Sequence, residues 1–105
     1  MKQVSVTLLT AAALIGGGFA LQASAQEANL GRNLAATCTH CHGTDGRSVG
    51  GTVVLAGMPK EQLVQTMKAF KSGARPATVM HQLSKGYTEQ QVELIGEYFS
   101  KQKIQ

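Results

Sequence analysis

The chain has 105 residues, with 10 Lys or Arg against 6 Asp or Glu and a formal net charge of +4. The basic residues are spread along the sequence without a dense run, which excludes a nucleic-acid arm and leaves a mildly basic surface able to steer an acidic protein partner. Only 5% of the residues are aromatic and none is Trp, and a small domain with so few large apolar side chains commonly adds a disulfide, a metal or a cofactor to complete its core.

The N-terminal segment has the composition of an export signal. After a positive start, residues 4–21 carry no charge, and Ala23-Ser24-Ala25 matches the pattern that signal peptidase cuts. The apolar run is short for a membrane span and contains three consecutive glycines. We therefore predict a cleaved signal at 1–25, a single mature domain at 26–105 in the periplasm, and no stable membrane insertion. A retained N-terminal anchor is the alternative.

Three helices are predicted in the mature chain. The first covers 27–36, and the second starts at Pro59 as its first helical residue and stops before Gly73. A capping box over 88–91 opens the third. No mature segment alternates over a strand's length, so the predicted fold is all-α, with three main helices and long loops. The predicted apolar positions are Leu30, Leu34, Leu63, Val64, Met67, Phe70, Val92, Leu94, Ile95, Tyr98 and Phe99.

Both cysteines and two of the three histidines lie within the five residues 38–42, CTHCH. A disulfide between Cys38 and Cys41 would close too short a loop to remove much unfolded-state entropy. A zinc site would need a second pair of ligands, and a thioredoxin-like motif belongs after a strand.

Covalent haem attachment is the one interpretation that uses each residue of C-x-x-C-H. Cys38 and Cys41 form thioethers with the two vinyl groups of one porphyrin, and His42 becomes an axial ligand of the iron. His40, between the cysteines, is predicted to be exposed and to have no ligand role. The motif and the export signal together predict one haem c, which also supplies the missing core.

The second axial position has several candidates. Met67 lies on the apolar stripe of the second helix and is predicted to be core, Met58 lies in a loop, and His81 would give two histidine ligands. Met80 is favoured, because it lies in a connector between two helices that can project a side chain onto iron. A thioether ligand raises the reduction potential relative to two histidine ligands. Because it also fills the last position on the iron, no substrate can bind there, and the iron is restricted to one-electron exchange. An open site, typical of a gas-binding or peroxidase-like haem protein, is the alternative.

The order of these motifs resembles class I cytochrome c: CxxCHG near the N-terminus, a late methionine loop, and a last helix ending in Glu97-Tyr98-Phe99. Within that class, LAGM at 55–58, FKSGARPATVM at 70–80 and KGYTEQQ at 85–91 are similar to the haem subunit of flavocytochrome c sulfide dehydrogenase. They are also similar to small periplasmic cytochromes of the 553 type. The resemblance covers about 30–102, nearly the whole mature chain.

By position, the resemblance makes Cys38 and Cys41 the thioether sites, His42 the proximal ligand and Met80 the distal ligand. It implies an electron-transfer protein and not an enzyme. As a subunit, it would take electrons from an FAD-containing, sulfide-oxidising flavoprotein and pass them to a downstream cytochrome. A free-standing diffusible shuttle is the alternative.

The resemblance also implies two structural contacts. The first and last helices should cross through a small residue and an aromatic one, Gly31 and Tyr98. The family commonly has a proline where this chain has Val53, and a backbone carbonyl there can still accept the imidazole N–H.

Overall fold

The computed structural model describes residues 16–104, with side chains from residue 22 onward. This part of the chain is helical and contains no strand, which confirms the predicted all-α fold with three main helices. None of its helices is both long and apolar enough to cross a membrane. The helices are α1 (Gly16–Ala35), α2 (Thr39–His42), α3 (Lys60–Ser72), α4 (Met80–Leu83) and α5 (Glu89–Ser100), with 3-10 turns at Ala36–Cys38, Thr44–Gly46 and Ser84–Gly86.

Helix α1 already includes Gly16, the first described residue, so the predicted start at Glu27 was wrong. The Ala, Gln and Glu residues on both sides of the predicted cleavage point favour a helix, which continues across it. All residues from 22 to 30 are exposed, including the predicted core residue Leu30 at 47%. The buried residues of α1 are Gly31 and Ala35, so its packing begins with the last five residues of the helix. Residues 1–15 of the predicted signal lie outside the described part of the chain.

Pro59 caps α3 and is not its first helical residue, contrary to the prediction. Its ψ of 136° is extended, and its carbonyl accepts a 3.1 Å hydrogen bond from the amide of Leu63. A proline suits this position as well, because no helical hydrogen bond requires its missing N–H. The predicted stop is confirmed, since Gly73 has a left-handed φ of 81°.

The predicted capping box opens α5. The Thr88 amide donates to Oε1 of Gln91 at 2.9 Å, and the Gln91 amide donates to Oγ1 of Thr88 at 3.1 Å. This reciprocal pair fixes where α5 starts, and therefore which of its residues face inward. Its buried residues are Val92, Ile95, Gly96 and Phe99.

The core joins the three long helices. Its buried cluster consists of Ala35, Leu63, Met67, Val92, Ile95 and Phe99. Cys38, Met58 and Met80 are partly buried against this cluster, so the CxxCH segment and both candidate methionine segments adjoin the same core.

Gly31 marks the close approach of α1 to α5. A Cβ atom on this residue would lie 2.8 Å from the backbone oxygen of Leu94, which is closer than side chains tolerate. The crossing through a small residue is therefore present, but its nearest atoms belong to Leu94 and not to the expected Tyr98.

Candidate haem-attachment site

The CxxCH motif lies on one compact helical turn. Cys38 ends the first 3-10 turn, and Cys41 and His42 belong to α2. The Thr39 hydroxyl donates to the carbonyl of Ala36 at 2.7 Å. Because helical residues three apart lie on one face, Cys38 and Cys41 point to the same side, and both are free thiols.

The two thiols differ in depth. Cys38 is half-buried against the core, whereas Cys41 is exposed. Burial raises the pKa of the Cys38 thiol, and a hydrogen bond with the Thr37 side chain opposes part of that rise. Burial therefore favours the neutral thiol of Cys38 over its thiolate.

Gly43 lets the chain leave the motif sharply. Its φ of 80° favours glycine, and a Cβ atom there would lie 2.7 Å from the carbonyl oxygen of Arg47. The loop after His42 can therefore fold back directly beside the motif.

The His42 ring is oriented by a backbone carbonyl. Its Nδ1 lies 2.6 Å from the carbonyl oxygen of Val53, the position at which such an acceptor was expected. Because a carbonyl only accepts, Nδ1 is the donor, and in the neutral ring Nε2 therefore has the lone pair. This is the tautomer of a metal-binding imidazole.

The segment that carries the Val53 carbonyl is held by Gly46. The Gly46 carbonyl accepts hydrogen bonds from the amides of Leu55 at 2.9 Å and Ala56 at 3.2 Å. Gly46 is buried with a φ of 78°, and a Cβ atom there would lie 2.8 Å from the Ala56 nitrogen. The loop that carries His42's acceptor therefore depends on a glycine at position 46.

A polar network that the sequence did not predict connects this loop to α5. Oη of Tyr98 donates to Oδ1 of Asp45 at 2.6 Å, and Arg47 pairs with the other carboxylate oxygen at 3.2 Å. The hydrogen bond to Asp45 is the main cause that raises the pKa of Tyr98. The Asp-Gly pair signals a left-handed turn, and Asp45 has a φ of 52°. No local sequence pattern indicates that Asp45 would pair with Tyr98 on α5.

The candidate distal ligands lie in different surroundings. Met67 is a core residue with 9% exposure, as predicted. Met80 is the first residue of α4, and both Met80 and Met58 lie partly buried beside the core. Nδ1 of His81 is buried and has no hydrogen-bond partner among the described residues.

The residues present fit a covalently bound haem. Two thiols on one face, an imidazole with a free Nε2 and partly buried thioethers are the donors that haem c uses. Exposed apolar side chains that suit a porphyrin face occur at His42's acceptor residue and near Met80. They are Val53 at 57% exposure, Val54 at 41%, Val79 at 55% and Leu83 at 53%. A structural zinc site uses four ligands. Among residues 16–104, by contrast, no three His, Cys, Asp or Glu residues lie close enough together to hold a metal ion.

The chain resembles known proteins over most of its length. The cytochrome c family model matches residues 28–103. The chain is 36% identical over 102 residues to the cytochrome subunit of sulfide dehydrogenase of Chlorobaculum tepidum, covering 88% of this chain and 93% of that protein. It is 29% identical over 106 residues to cytochrome c-553 of Nitratidesulfovibrio vulgaris, covering 96% and 99%. With cytochrome c4 of Pseudomonas aeruginosa it shares 33% over 105 residues, covering 99% of this chain but 50% of that protein.

Proposed function

Because the chain belongs to the cytochrome c family, we propose that Cys38 and Cys41 hold its covalent haem and that His42 and Met80 are the axial ligands. The protein transfers electrons between redox partner proteins and is not itself an enzyme. The observation that carries the ligand assignment is the hydrogen bond from His42 Nδ1 to Val53, which leaves Nε2 for iron.

Each of these residues has a separate task. When bound, the haem iron exchanges one electron with a partner. Cys38 and Cys41 anchor the porphyrin, and the Val53 carbonyl keeps the His42 ring in one orientation and raises its basicity. The Met80 thioether is soft and neutral, so as a ligand it would favour the reduced state and exclude water from the iron.

Paired alanine variants test the distal ligand. In Met80→Ala we expect the ferric thioether charge-transfer band to disappear, the iron to become high-spin or water-ligated, and the potential to fall. Met58→Ala is the matched control, because Met58 is also partly buried beside the core, and it should keep the band. The opposite pattern would assign Met58, and a wild-type spectrum without the band would favour His81 or an open site.

We further propose that the protein is the haem subunit of a sulfide dehydrogenase. It would accept electrons from an FAD-containing, sulfide-oxidising flavoprotein and pass them to a downstream cytochrome. The support is the similarity to a protein of that name, which extends over 93% of its length.

Gel filtration of the source periplasm, with haem absorbance and flavin fluorescence followed together, tests this assignment. Flavin travelling with the haem, well above the size of the single chain, is the expected result. Haem eluting alone and small would instead support a free-standing shuttle.

We also propose that the chain is exported and cut after Ala25. All residues from 22 to 30 are exposed, so the cut removes no described core residue. The intact mass of the haem protein in the periplasmic fraction should correspond to Gln26 as first residue. A chain that starts at Met1 in the membrane fraction would support the retained anchor.

A further inference from the structure

We propose that Tyr87 is a positioning residue that fastens the segment carrying Met80 to the segment carrying Cys38. Its Oη lies 2.5 Å from Oγ1 of Thr37, although the two residues are 50 positions apart. Thr37 directly precedes Cys38, and Tyr87 directly follows the 3-10 turn after α4. The inference rests on the proposed role of Met80 as distal ligand.

The direction of this hydrogen bond follows from the hydroxyl protons. Oγ1 of Thr37 also lies 3.1 Å from the carbonyl oxygen of Leu34, to which it donates. A hydroxyl has only one proton, so Thr37 must accept from Tyr87. A phenylalanine at 87 would therefore remove the donor while leaving the bond from Thr37 to Leu34 in place.

Tyr87 is also held from α3. Nζ of Lys71 donates to the Tyr87 carbonyl at 2.9 Å, and the ring is partly buried against the core. The side chain and the main chain of this residue are thus tied to two different elements. Tyr87 therefore has little freedom to move alone.

The stretch between Tyr87 and Met80 is internally connected. The Tyr87 amide donates to the Ser84 carbonyl at 3.4 Å, and the buried Ser84 hydroxyl donates to the His81 carbonyl at 3.3 Å. Helix α4 begins at Met80 and runs directly into this turn. A displacement of Tyr87 would therefore also displace Met80, the residue that we propose as distal ligand.

The test is a titration of the ferric protein with imidazole, which competes with a thioether ligand. Loss of the thioether charge-transfer band reports the displacement of Met80. In Tyr87→Phe the imidazole affinity should rise about five-fold, within the roughly two- to twelve-fold range that one neutral hydrogen bond supports. Thr37→Val should show a similar rise in imidazole affinity. The affinity of the double variant should be close to that of each single variant, because both substitutions remove the same bond.

Tyr98→Phe is the matched control. It removes a tyrosine hydrogen bond of similar length, to Asp45, which lies outside the Met80 segment. Guanidinium unfolding should show a stability loss in Tyr98→Phe at least as large as in Tyr87→Phe, because the Tyr98 bond is to a carboxylate. Imidazole affinity should nevertheless rise only in Tyr87→Phe. An equal rise in both would reflect general loosening and would overturn the positioning role.

The remaining outcomes separate this inference from the ligand assignment. If Met80→Ala abolishes the band but Tyr87→Phe binds imidazole like the wild type, Met80 is the ligand and Tyr87 does not position it. If the wild-type band is absent or survives Met80→Ala, the ligand assignment fails, and the inference fails with it.

Discussion

Nδ1 of His42 donates a 2.6 Å hydrogen bond to the carbonyl of Val53, eleven positions later in the chain. The donor belongs to the CxxCH turn, whereas the acceptor belongs to a loop that the Gly46 carbonyl holds through the amides of Leu55 and Ala56. The motif therefore supplies the proximal imidazole, and the loop sets its orientation and hydrogen-bonding state. Changes in the loop that displace the Val53 carbonyl should therefore alter the spectrum and potential of the haem iron, whereas changes that leave the carbonyl in place should not.

Val53→Pro is expected to preserve this hydrogen bond and to stiffen the loop. Proline keeps the carbonyl that accepts from His42, the Val53 residue is 57% exposed, and its amide donates no hydrogen bond within residues 16–104. Where the backbone fits, proline stabilises by about 0.4–1 kcal/mol through the unfolded state. We expect a higher Tm and an unchanged ferric spectrum and potential.

Leu55→Pro is the contrasting variant, because the Leu55 amide donates to Gly46 at 2.9 Å. Losing that bond should lower Tm and disturb the loop. A changed potential in Val53→Pro, with the fold intact, would contradict the view that the carbonyl alone orients the His42 ring.

Local patterns in the sequence predicted what short-range chemistry determines. The end of α3 before Gly73, the capping box at Thr88 and the core position of Met67 each depend on residues within about one or two helical turns. The start of α1 was wrong because its predicted bound followed the cleavage point, whereas helix propensity continues across it. Pro59 was misplaced by one residue because a missing N–H suits both the cap and the first helical position.

Contacts between distant side chains could not be predicted in the same way. The bonds from Tyr87 to Thr37 and from Tyr98 to Asp45 join residues 50 and 53 positions apart. No periodicity or turn rule links such positions, and each pair depends on how the helices pack. The acceptor at Val53 was predicted only because the resemblance supplied the alignment of that loop.

Gly31→Ala should destabilise the protein through the crossing of α1 and α5. The added Cβ would lie 2.8 Å from the backbone oxygen of Leu94, which cannot move as a flexible side chain can. Overpacking of this kind typically costs about 1–3 kcal/mol, despite alanine's better helix propensity. Denaturant unfolding of the haem-loaded protein measures the loss.

Gly50→Ala is the matched control for that substitution. No atom lies within 4 Å of a Cβ at this position, and Gly50 is not among the glycines with positive φ. It should be neutral or slightly stabilising. Equal unfolding midpoints for the two variants would show that the helices separate without cost.

Alkaline pH should weaken the contact between Tyr98 and Asp45. The folded-state pKa of Tyr98 is raised, chiefly by its hydrogen bond to that carboxylate, because the neutral phenol is the donor. A raised pKa contributes stability that is fully present below the unfolded value of about 10 and is lost as pH rises through the folded value. Unfolding free energy should therefore fall less steeply above about pH 10 in Tyr98→Phe than in the wild type. Parallel curves would contradict this assignment.

Positive charge is concentrated on the part of the chain that carries Met80. Between Glu61 and Glu89 there is no acidic residue, and α3 packs against both α4 and the turn after it. Val79 and Leu83 lie in the same stretch with 55% and 53% exposure. Four exposed basic residues belong to it: Lys68, Lys71, Arg75 and Lys85.

An acidic redox partner should therefore approach this surface, and its attraction should be screened by salt. Lys85→Glu is expected to slow reduction of the protein by photoreduced FMN, whose phosphate is anionic, by roughly two- to ten-fold at low ionic strength. Reduction by neutral photoreduced riboflavin should be unchanged, and the difference should vanish at about 1 M salt, where the Debye length is about 3 Å. Lys103→Glu makes the same charge change outside the stretch and should have little effect. If both variants slowed reduction by FMN equally, net charge would control the encounter, and the basic stretch that carries Met80 would have no special role in it.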